Sequence, residues 1–182
     1  MATTDDPARP APHAAFPADN PVQALLRDHD MVRKLADKYQ NTHSADVRKQ
    51  AATQLIQAIH THSRLEEGVF YPGVRRVDPN LVARFEEDHL AVDDLLATLQ
   101  GMSMDEARAE PLVRELIDAV LSHIRQEETQ LFPELKQAAL DLTSIGLQMQ
   151  AFEANLVHMQ AQLSDREARP EFSRSQKTAR PV

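Results

Sequence analysis

An eleven-residue motif that occurs twice is the feature that most constrains the fold of this 182-residue chain. Residues 62–72 read HSRLEEGVFYP and residues 123–133 read HIRQEETQLFP. In each copy a histidine, and a glutamate four positions later, continue the spacing of the apolar residues that precede them. Because residues four apart share one helix face, each copy predicts one imidazole and one carboxylate that point into a helical core.

The repeat extends upstream of this motif. Asp28-His29 recurs as Asp88-His89 with an offset of 60, and the longer motif recurs with an offset of 61. The sequence therefore predicts two helical hairpins of the same kind, one after the other. Each hairpin supplies one histidine from its first helix and a His-x-x-x-Glu from its second. Two such hairpins, packed antiparallel, would be related by an approximate twofold axis.

Apolar residues at alternating three- and four-residue steps predict five helices, over residues 22–41, 45–70, 79–101, 111–131 and 141–164. Long helices joined by short loops favour an all-α, up-down-up-down four-helix bundle with an additional C-terminal helix. We divide the chain into a disordered lead (1–20), the bundle (21–140), a C-terminal amphipathic helix (141–165) and a disordered tail (166–182). The heptad-like seam of residues 142–163 predicts a face that covers the bundle, or that binds a second copy or another protein.

Composition narrows the class of protein. The chain has no cysteine, which excludes disulfides, thiol catalysis and zinc-thiolate sites. Its net charge of -8 argues against a nucleic-acid partner, and no apolar run is long enough to cross a membrane. The proline-interrupted, early-acidic N-terminus does not read as a signal peptide. We expect a cytoplasmic protein.

Six polar residues lie on the predicted apolar stripes: His29, His62, Glu66, His89, His123 and Glu127. Left unpaired in a dry interior, such groups would cost on the order of 2 kcal/mol or more each. Mutual salt bridges would relieve part of this cost, and a pair of metal ions would relieve more of it. Imidazole and carboxylate without thiolate suit iron, with manganese or zinc as alternatives. Two glutamates shared among four histidines suggest a dinuclear, carboxylate-bridged site.

These motifs resemble those of the haemerythrin-like, or HHE cation-binding, proteins. The resemblance covers about residues 22–136 and rests on a lone histidine at position 29, HSRLEEGVFYP, EEDHLAV and HIRQEETQLFP. It implies a four-helix bundle around a non-haem di-iron centre. By position, the four histidines would be terminal ligands, and Glu66 and Glu127 would bridge the two irons.

One departure from the family pattern lies on the third helix. In the family pattern that the resemblance implies, the third helix of the oxygen-carrying haemerythrins bears two histidines four residues apart. Here the positions four residues from His89 hold Phe85 and Asp93. Asp93 is therefore a further candidate ligand, and Glu86 a weaker one. The fourth-helix motif ends in Glu127 rather than in the carrier's differently spaced aspartate, so we favour redox chemistry or sensing over reversible oxygen transport.

The second glutamate of each motif is predicted to support the site rather than to bind metal. Glu67 and Glu128 would form salt bridges to Arg64 and Arg125, or accept a hydrogen bond from a ligand imidazole. Tyr39 and Tyr71 are interpreted as packing residues with a polar tip; a tyrosine near the metals could also act as a ligand or relay electrons.

Three classes of function remain open at this point. In the first, a sensor or binding protein changes shape when it binds oxygen, nitric oxide or iron, with the fifth helix as its output. In the second, an enzyme consumes peroxide or nitric oxide as a di-iron peroxidase or catalase. The third is a structural helical bundle without metal. The expected small partner of the first two is dioxygen, another diatomic molecule or a peroxide.

Overall fold

The computed structural model describes the backbone of residues 20–167 and the side chains of residues 20–159. Within these residues every regular element is helical, which confirms the all-α prediction. The helices are α1 (Pro21–Asn41), α2 (Ala45–Leu65), α3 (Tyr71–Val74), α4 (Pro79–Gln100), α5 (Ala109–Gln126), α6 (Phe132–Leu135) and α7 (Leu142–Glu167). The predicted disordered lead before Asn20 and the predicted tail after Glu167 lie outside the described residues.

Four helical columns form the bundle: α1, α2 with α3, α4, and α5 with α6. Local sequence explains where three of them begin. The side chains of Asn20, Ser44 and Asp78 each accept a hydrogen bond from a backbone N–H of the following first turn. Proline occupies the first helical position of α1 and α4, where its missing N–H costs nothing.

Two π-helical turns interrupt the long columns where the sequence predicts continuous α-helix. The turn π1 (Glu66–Phe70) joins α2 to α3, and π2 (Glu127–Leu131) joins α5 to α6. The backbone N–H of Tyr71 bonds to the carbonyl of Glu66, and that of Phe132 bonds to the carbonyl of Glu127. In an α-helix, residues five apart lie about 140° apart around the axis. The wider π turn brings Tyr71 and Phe132 onto the same inner face as the glutamates.

The apolar core consists of two layers with the polar residues between them. One layer includes Leu25, and the other includes Val32; His29 lies between these two residues along α1. The other three columns repeat this arrangement. The site is therefore walled above and below by apolar side chains that keep water away from it.

The helix α7 packs mainly against α1, α2 and π1. Ile145 and Met149 are buried and Phe152 is half-buried, whereas Met159 is exposed. The first half of the predicted seam thus covers the bundle, Leu156 is half-buried, and Met159 is the first seam residue that faces solvent. No helix in residues 20–167 combines the length and apolar content needed to span a membrane.

Candidate metal centre

The bundle brings the six polar residues of the apolar stripes together in its interior. All six side chains are at most 3% exposed. They form two groups in which one ligand-type atom from each member lies within 4.8 Å of the others. The first group is His29, His62, Glu66 and Glu127, and the second is Glu66, His89 and His123. Glu66 belongs to both groups, so its carboxylate lies between them.

In the first group, imidazole nitrogens face carboxylate oxygens without hydrogen-bonding them. His62 Nε2 lies 3.1 Å from Glu66 Oε2, and His29 Nε2 lies 3.4 Å from Glu127 Oε2. Nevertheless both nitrogens, together with Glu66 Oε1 and Glu127 Oε2, lack a partner with hydrogen-bond geometry among the described residues. Each such buried orphan costs about 1–3 kcal/mol. A cation that accepts these lone pairs removes that cost, so the donor set fits a metal ion.

In the second group, two imidazole rings lie tilted at 54° to each other, with centroids 4.5 Å apart. His89 Nε2 and His123 Nε2 are 3.0 Å apart. Because the Nδ1 atom of His89 faces the Glu67 carboxylate, its Nε2 presents a lone pair to the neighbouring ring in the neutral form. A shared proton or a metal cation must therefore lie between the two nitrogens. Donor atoms bound to one ion at about 2.1 Å are separated by about 3.0–3.4 Å when adjacent, which matches this spacing.

A glutamate from another column faces the outer nitrogen of two of the imidazoles. Glu128 Oε1 lies 2.9 Å from His29 Nδ1, and Glu67 Oε1 lies 3.0 Å from His89 Nδ1. Such contacts set the tautomer and the orientation of a ligand imidazole and raise its basicity. The glutamates that follow Glu66 and Glu127 in the sequence therefore support the histidines of the opposite hairpin's first helix.

The outer nitrogens of the remaining two imidazoles, those of His62 and His123, face aspartates. Asp28 Oδ2 lies 3.8 Å from His62 Nδ1, and Asp88 Oδ2 lies 3.8 Å from His123 Nδ1. These separations are longer than a hydrogen bond but within the range of an ion pair. The sequence does contain a signal for these aspartates: Asp28 directly precedes His29, and Asp88 directly precedes His89 in the second copy of the repeat.

Arginines hold the supporting glutamates in place, in a different way in each half. Arg64 lies 3.1 Å from Glu67 and 3.0 Å from Asp93. Arg33 lies 2.6 Å from Glu128. The predicted pairing of Glu67 with Arg64 is thus present, whereas Glu128 pairs with Arg33 of α1 rather than with its neighbour in sequence.

The two weaker ligand candidates lie outside both groups. The Asp93 carboxylate accepts a 3.0 Å hydrogen bond from Arg64 and belongs to neither group. Glu86 forms an ion pair with Arg75 near the surface. In the repeat, Asp93 of α4 corresponds to Arg33 of α1. Arg33 pairs directly with the supporting glutamate Glu128, whereas Asp93 shares Arg64 with the supporting glutamate Glu67.

Tyr71 lies at the site, although the sequence alone gave it no place among the candidate ligands. Its side chain is fully buried, and its hydroxyl donates a 2.8 Å hydrogen bond to Glu127 Oε1. The same oxygen lies 3.2 Å from His123 Nε2 and 3.4 Å from His89 Nε2. Ideal α-helical spacing would turn position 71 away from Glu66, and the π turn brings it onto the same face.

The dense charge of the site shifts the pKa values of its groups. Burial disfavours the charged imidazole of His89, but the carboxylates of Glu66 and Glu67 outweigh burial and raise the pKa of His89 to about 9. Burial lowers the pKa of His123. Burial, Glu66 and Glu127 together raise the pKa of the Tyr71 hydroxyl well above its usual range. A cation that binds to this site therefore competes with at least one proton.

The sequence of residues 20–135 matches the profile of a family described as Hemerythrin HHE cation binding domain. The chain belongs to this haemerythrin-like family. It is accordingly a metal-binding type of helical bundle, as the repeat and the buried donor groups indicate.

Two relatives and one solved structure show how this haemerythrin-like chain compares with others. It is 27% identical over 120 residues to a protein of Nostoc sp. named DNA nickase, covering 65% of this chain and 34% of that protein. It is 28% identical over 121 residues to an uncharacterized hemerythrin-like protein of Schizosaccharomyces pombe, covering 63% of this chain and 58% of the other. The matched regions are therefore less than two thirds of either relative.

The crystal structure of a Hemerythrin HHE cation binding domain-containing protein from Mycobacterium kansasii has a similar fold. The TM-score is 0.61 at 23% identity, over 75% of this chain and 86% of the other. The likeness supports the haemerythrin-like bundle, and at this identity it speaks for the fold alone.

Proposed function

We propose that this protein holds a non-haem di-iron centre that reacts with a small oxygen-derived or nitrogen-oxide ligand, in sensing or in protection against oxidative stress in the cytoplasm. The observation that carries the proposal is the pair of buried donor groups joined by Glu66. His29, His62 and Glu127 would bind one ion, His89 and His123 would bind the other, and Glu66 would bridge them. Iron is preferred over manganese or zinc because the family pattern implies it.

A pair of iron ions held there would supply Lewis acidity and exchangeable electrons to a bound diatomic molecule or peroxide. The protein itself contributes a fixed orientation of the ligand side chains and the exclusion of water from the site. Glu128 and Glu67 bond to the outer nitrogens of His29 and His89 and hold these two imidazoles in one orientation. Asp28 and Asp88 lie 3.8 Å from the outer nitrogens of His62 and His123. The two apolar layers enclose the donor groups and exclude water, which favours a small reactant such as a diatomic molecule or a peroxide over a larger substrate.

Redox chemistry or sensing is favoured over reversible oxygen carriage by the composition of the second group. Of the positions four residues from His89, Phe85 is buried and apolar, and Asp93 is paired with Arg64. Neither adds a ligand, so the second ion would have fewer imidazoles than the carrier pattern provides. A stable oxygen adduct that forms and dissociates through repeated cycles would contradict this preference.

Metal content is the first test of the proposal. Iron-loaded protein is expected to contain two iron ions per chain and to show oxo-bridge absorption after exposure to air. His62→Ala is expected to lower the iron content, whereas His60→Ala, two residues away and outside both groups, should leave it unchanged. A metal-free structural bundle predicts no stoichiometric iron after anaerobic reconstitution, and an equal result for both variants.

Turnover separates sensing from enzymatic activity. Consumption of many equivalents of peroxide per site, without loss of iron, would assign a peroxidase- or catalase-like enzyme. A single stoichiometric oxidation, followed by a change in shape or association, would assign a sensor. The helix α7, which packs against π1, is the element through which such a change would reach the surface.

The relative named DNA nickase suggests a second test. The match covers 34% of that protein, and the net charge of -8 of the present chain opposes binding to a phosphate backbone. We therefore expect no nicking of supercoiled plasmid by the iron-loaded protein. Nicking that His62→Ala abolishes would replace the proposed function with nuclease activity.

A further inference from the structure

The outer face of α7, formed by the exposed positions of residues 142–159, carries no fixed charge. It has nine exposed positions, and none of them holds Asp, Glu, Lys or Arg. The exposed positions of α1, α4 and α5 do include charged residues. Of the five large apolar side chains that are exposed among the described residues, three lie on α7, namely Leu147, Val157 and Met159. Exposed apolar surface is thus concentrated where exposed charge is missing.

The centre of the outer face is a straight stripe. Leu147, Ala151, Ala154 and His158 are exposed and follow one another at steps of four, three and four residues. Residues with this spacing share one side of a helix, and here it is the side opposite to the buried Met149. Because two alanines lie in the middle, another helix can approach to about 8 Å between the axes, the close end of the usual range.

The stripe matches itself when two copies of α7 run antiparallel. Its spacing of four, three and four residues is the same in both directions, and its midpoint lies between residues 152 and 153. Aligned about that midpoint, Leu147 of one copy meets His158 of the other, and Ala151 meets Ala154. A twofold axis repeats each of these contacts, so the interface closes after two copies.

The absence of charge favours a second copy of this chain as the occupant of the outer face. A twofold contact brings a surface against itself, so a face with one sign of charge would repel its counterpart. The chain has a net charge of -8, but the outer face lets two copies meet without placing like charges together. A different protein would ordinarily be selected by complementary charges, and this face offers none to select it.

We propose that the outer face of α7 is the interface of an antiparallel homodimer, with Ala151 and Ala154 at the twofold axis and Leu147 and Val157 as its main apolar contacts. This inference goes beyond the proposed function and does not depend on whether the bundle holds iron. The nine exposed positions per copy are fewer than the roughly 20–30 residues per side of a standard interface. We therefore expect a dissociation constant in the micromolar range rather than a permanent dimer.

Sedimentation equilibrium of the full chain measures the association. The wild type is expected to change from monomer to dimer as its concentration rises through the micromolar range, and added salt should not weaken the dimer. Leu147→Lys places two unpaired charges in each interface and should weaken dimerisation on the order of 100-fold. Leu90→Lys, at a side chain of α4 that is 67% exposed, is the matched control and should leave dimerisation unchanged.

Disulfide formation tests the antiparallel register, because the chain itself contains no cysteine. In the proposed dimer the two Cα atoms of residue 154 are about 6 Å apart, a distance that a disulfide spans. The two copies of residue 158 are about 16 Å apart along the helices. With diamide as the oxidant, Ala154→Cys should form a covalent dimer and His158→Cys should not. Ala97→Cys, at an exposed position of α4, measures cross-linking by random collision.

The contrary outcomes are distinct from those that test the metal centre. A wild type that stays monomeric throughout the micromolar range would overturn the inference, as would equal effects of Leu147→Lys and Leu90→Lys. A dimer that weakens as salt is added would place the interface on charged surfaces elsewhere. Equal cross-linking of Ala154→Cys and His158→Cys would exclude the antiparallel register, and this test holds even if Leu147→Lys fails to fold. The iron content, which tests the proposed function, is measured separately from all of these.

Discussion

The first hairpin (α1–α3) and the second (α4–α6) carry the same ligand-type residues but present them to different surroundings. Histidines, the paired glutamates and the π turns recur at offsets of 60 or 61 residues. The helix α7, in contrast, packs mainly against the first hairpin. A sequence repeat thus specifies a nearly symmetric donor set, and a few substitutions within it are enough to make the site's environment asymmetric.

Two glycines make the packing of α7 on the first hairpin possible. A Cβ atom at Gly68 would lie 2.6 Å from the ring of Phe152, and one at Gly73 would lie 3.0 Å from Ile145. The corresponding positions of the second hairpin hold Thr129 and Glu134, both exposed. The absence of a side chain, rather than backbone conformation, is therefore what these glycines contribute.

The largest expected effect tests whether the two bridging candidates are equivalent. Glu66 belongs to both donor groups and Glu127 to one. We expect Glu66→Ala to weaken iron binding at both positions, on the order of 1000-fold or about 4 kcal/mol. Glu127→Ala should spare the ion bound by His89 and His123. Metal titration, followed by elemental analysis, measures both effects. Equal loss at both positions in the two variants would mean that the bridge is symmetric.

The next prediction concerns the cover that α7 provides. Met149 is fully buried, whereas Met159, ten residues along the same helix, is 53% exposed. Met149→Ala should lower the free energy of unfolding by about 2–5 kcal/mol, because it leaves a cavity in the core layer next to the site. Met159→Ala should change it by less than about 0.5 kcal/mol. Denaturant unfolding of the full chain is the measurement; a similar small effect for both would show that α7 is detached in solution.

A matched pair of substitutions tests the symmetry of the supporting carboxylates. Glu67→Gln and Glu128→Gln each remove the charge that faces the outer nitrogen of a ligand imidazole. We expect each to lower iron affinity by about 10–100-fold, at the position that contains that imidazole. Arg125→Gln, at the exposed neighbour that Glu128 does not use, serves as the control. If Glu67→Gln left the iron affinity unchanged, the contact between Glu67 and His89 would be a surface ion pair without influence on the metal site.

The smallest expected effect is at the glycine beneath α7. Gly68→Ala should destabilise the protein by about 1 kcal/mol, because the clash with the Phe152 ring exceeds the gain in helix propensity. In a Phe152→Leu background, which withdraws the ring, the same change should become neutral or stabilising. Thermal unfolding of the four proteins of this cycle measures the coupling. Additive effects would show that the ring does not contact position 68.

Much of this architecture could be predicted from spacing alone. The period of the apolar residues indicates the helices, and residues with a shared period must share a face, so the placement of His62 and Glu66 in the interior follows from local geometry. The starts of α2 and α4 follow from the sequence as well, since Ser44 and Asp78 are residue types that cap helices. The likeness of the two copies also indicated that their donors would converge.

What the sequence by itself determined is the identity and the register of the donors. What only the tertiary structure decided is their partners: Glu128 with Arg33, Asp93 with Arg64, and Tyr71 among the imidazoles. The physical reason is that the spacing of apolar residues and the helix propensity of each residue describe single helices and not the contacts between them. A π turn inserts about one extra residue into a helical turn, so the side chains after it face a different direction. The amino-acid composition does not reveal such a turn, and the contacts between helices depend on those directions.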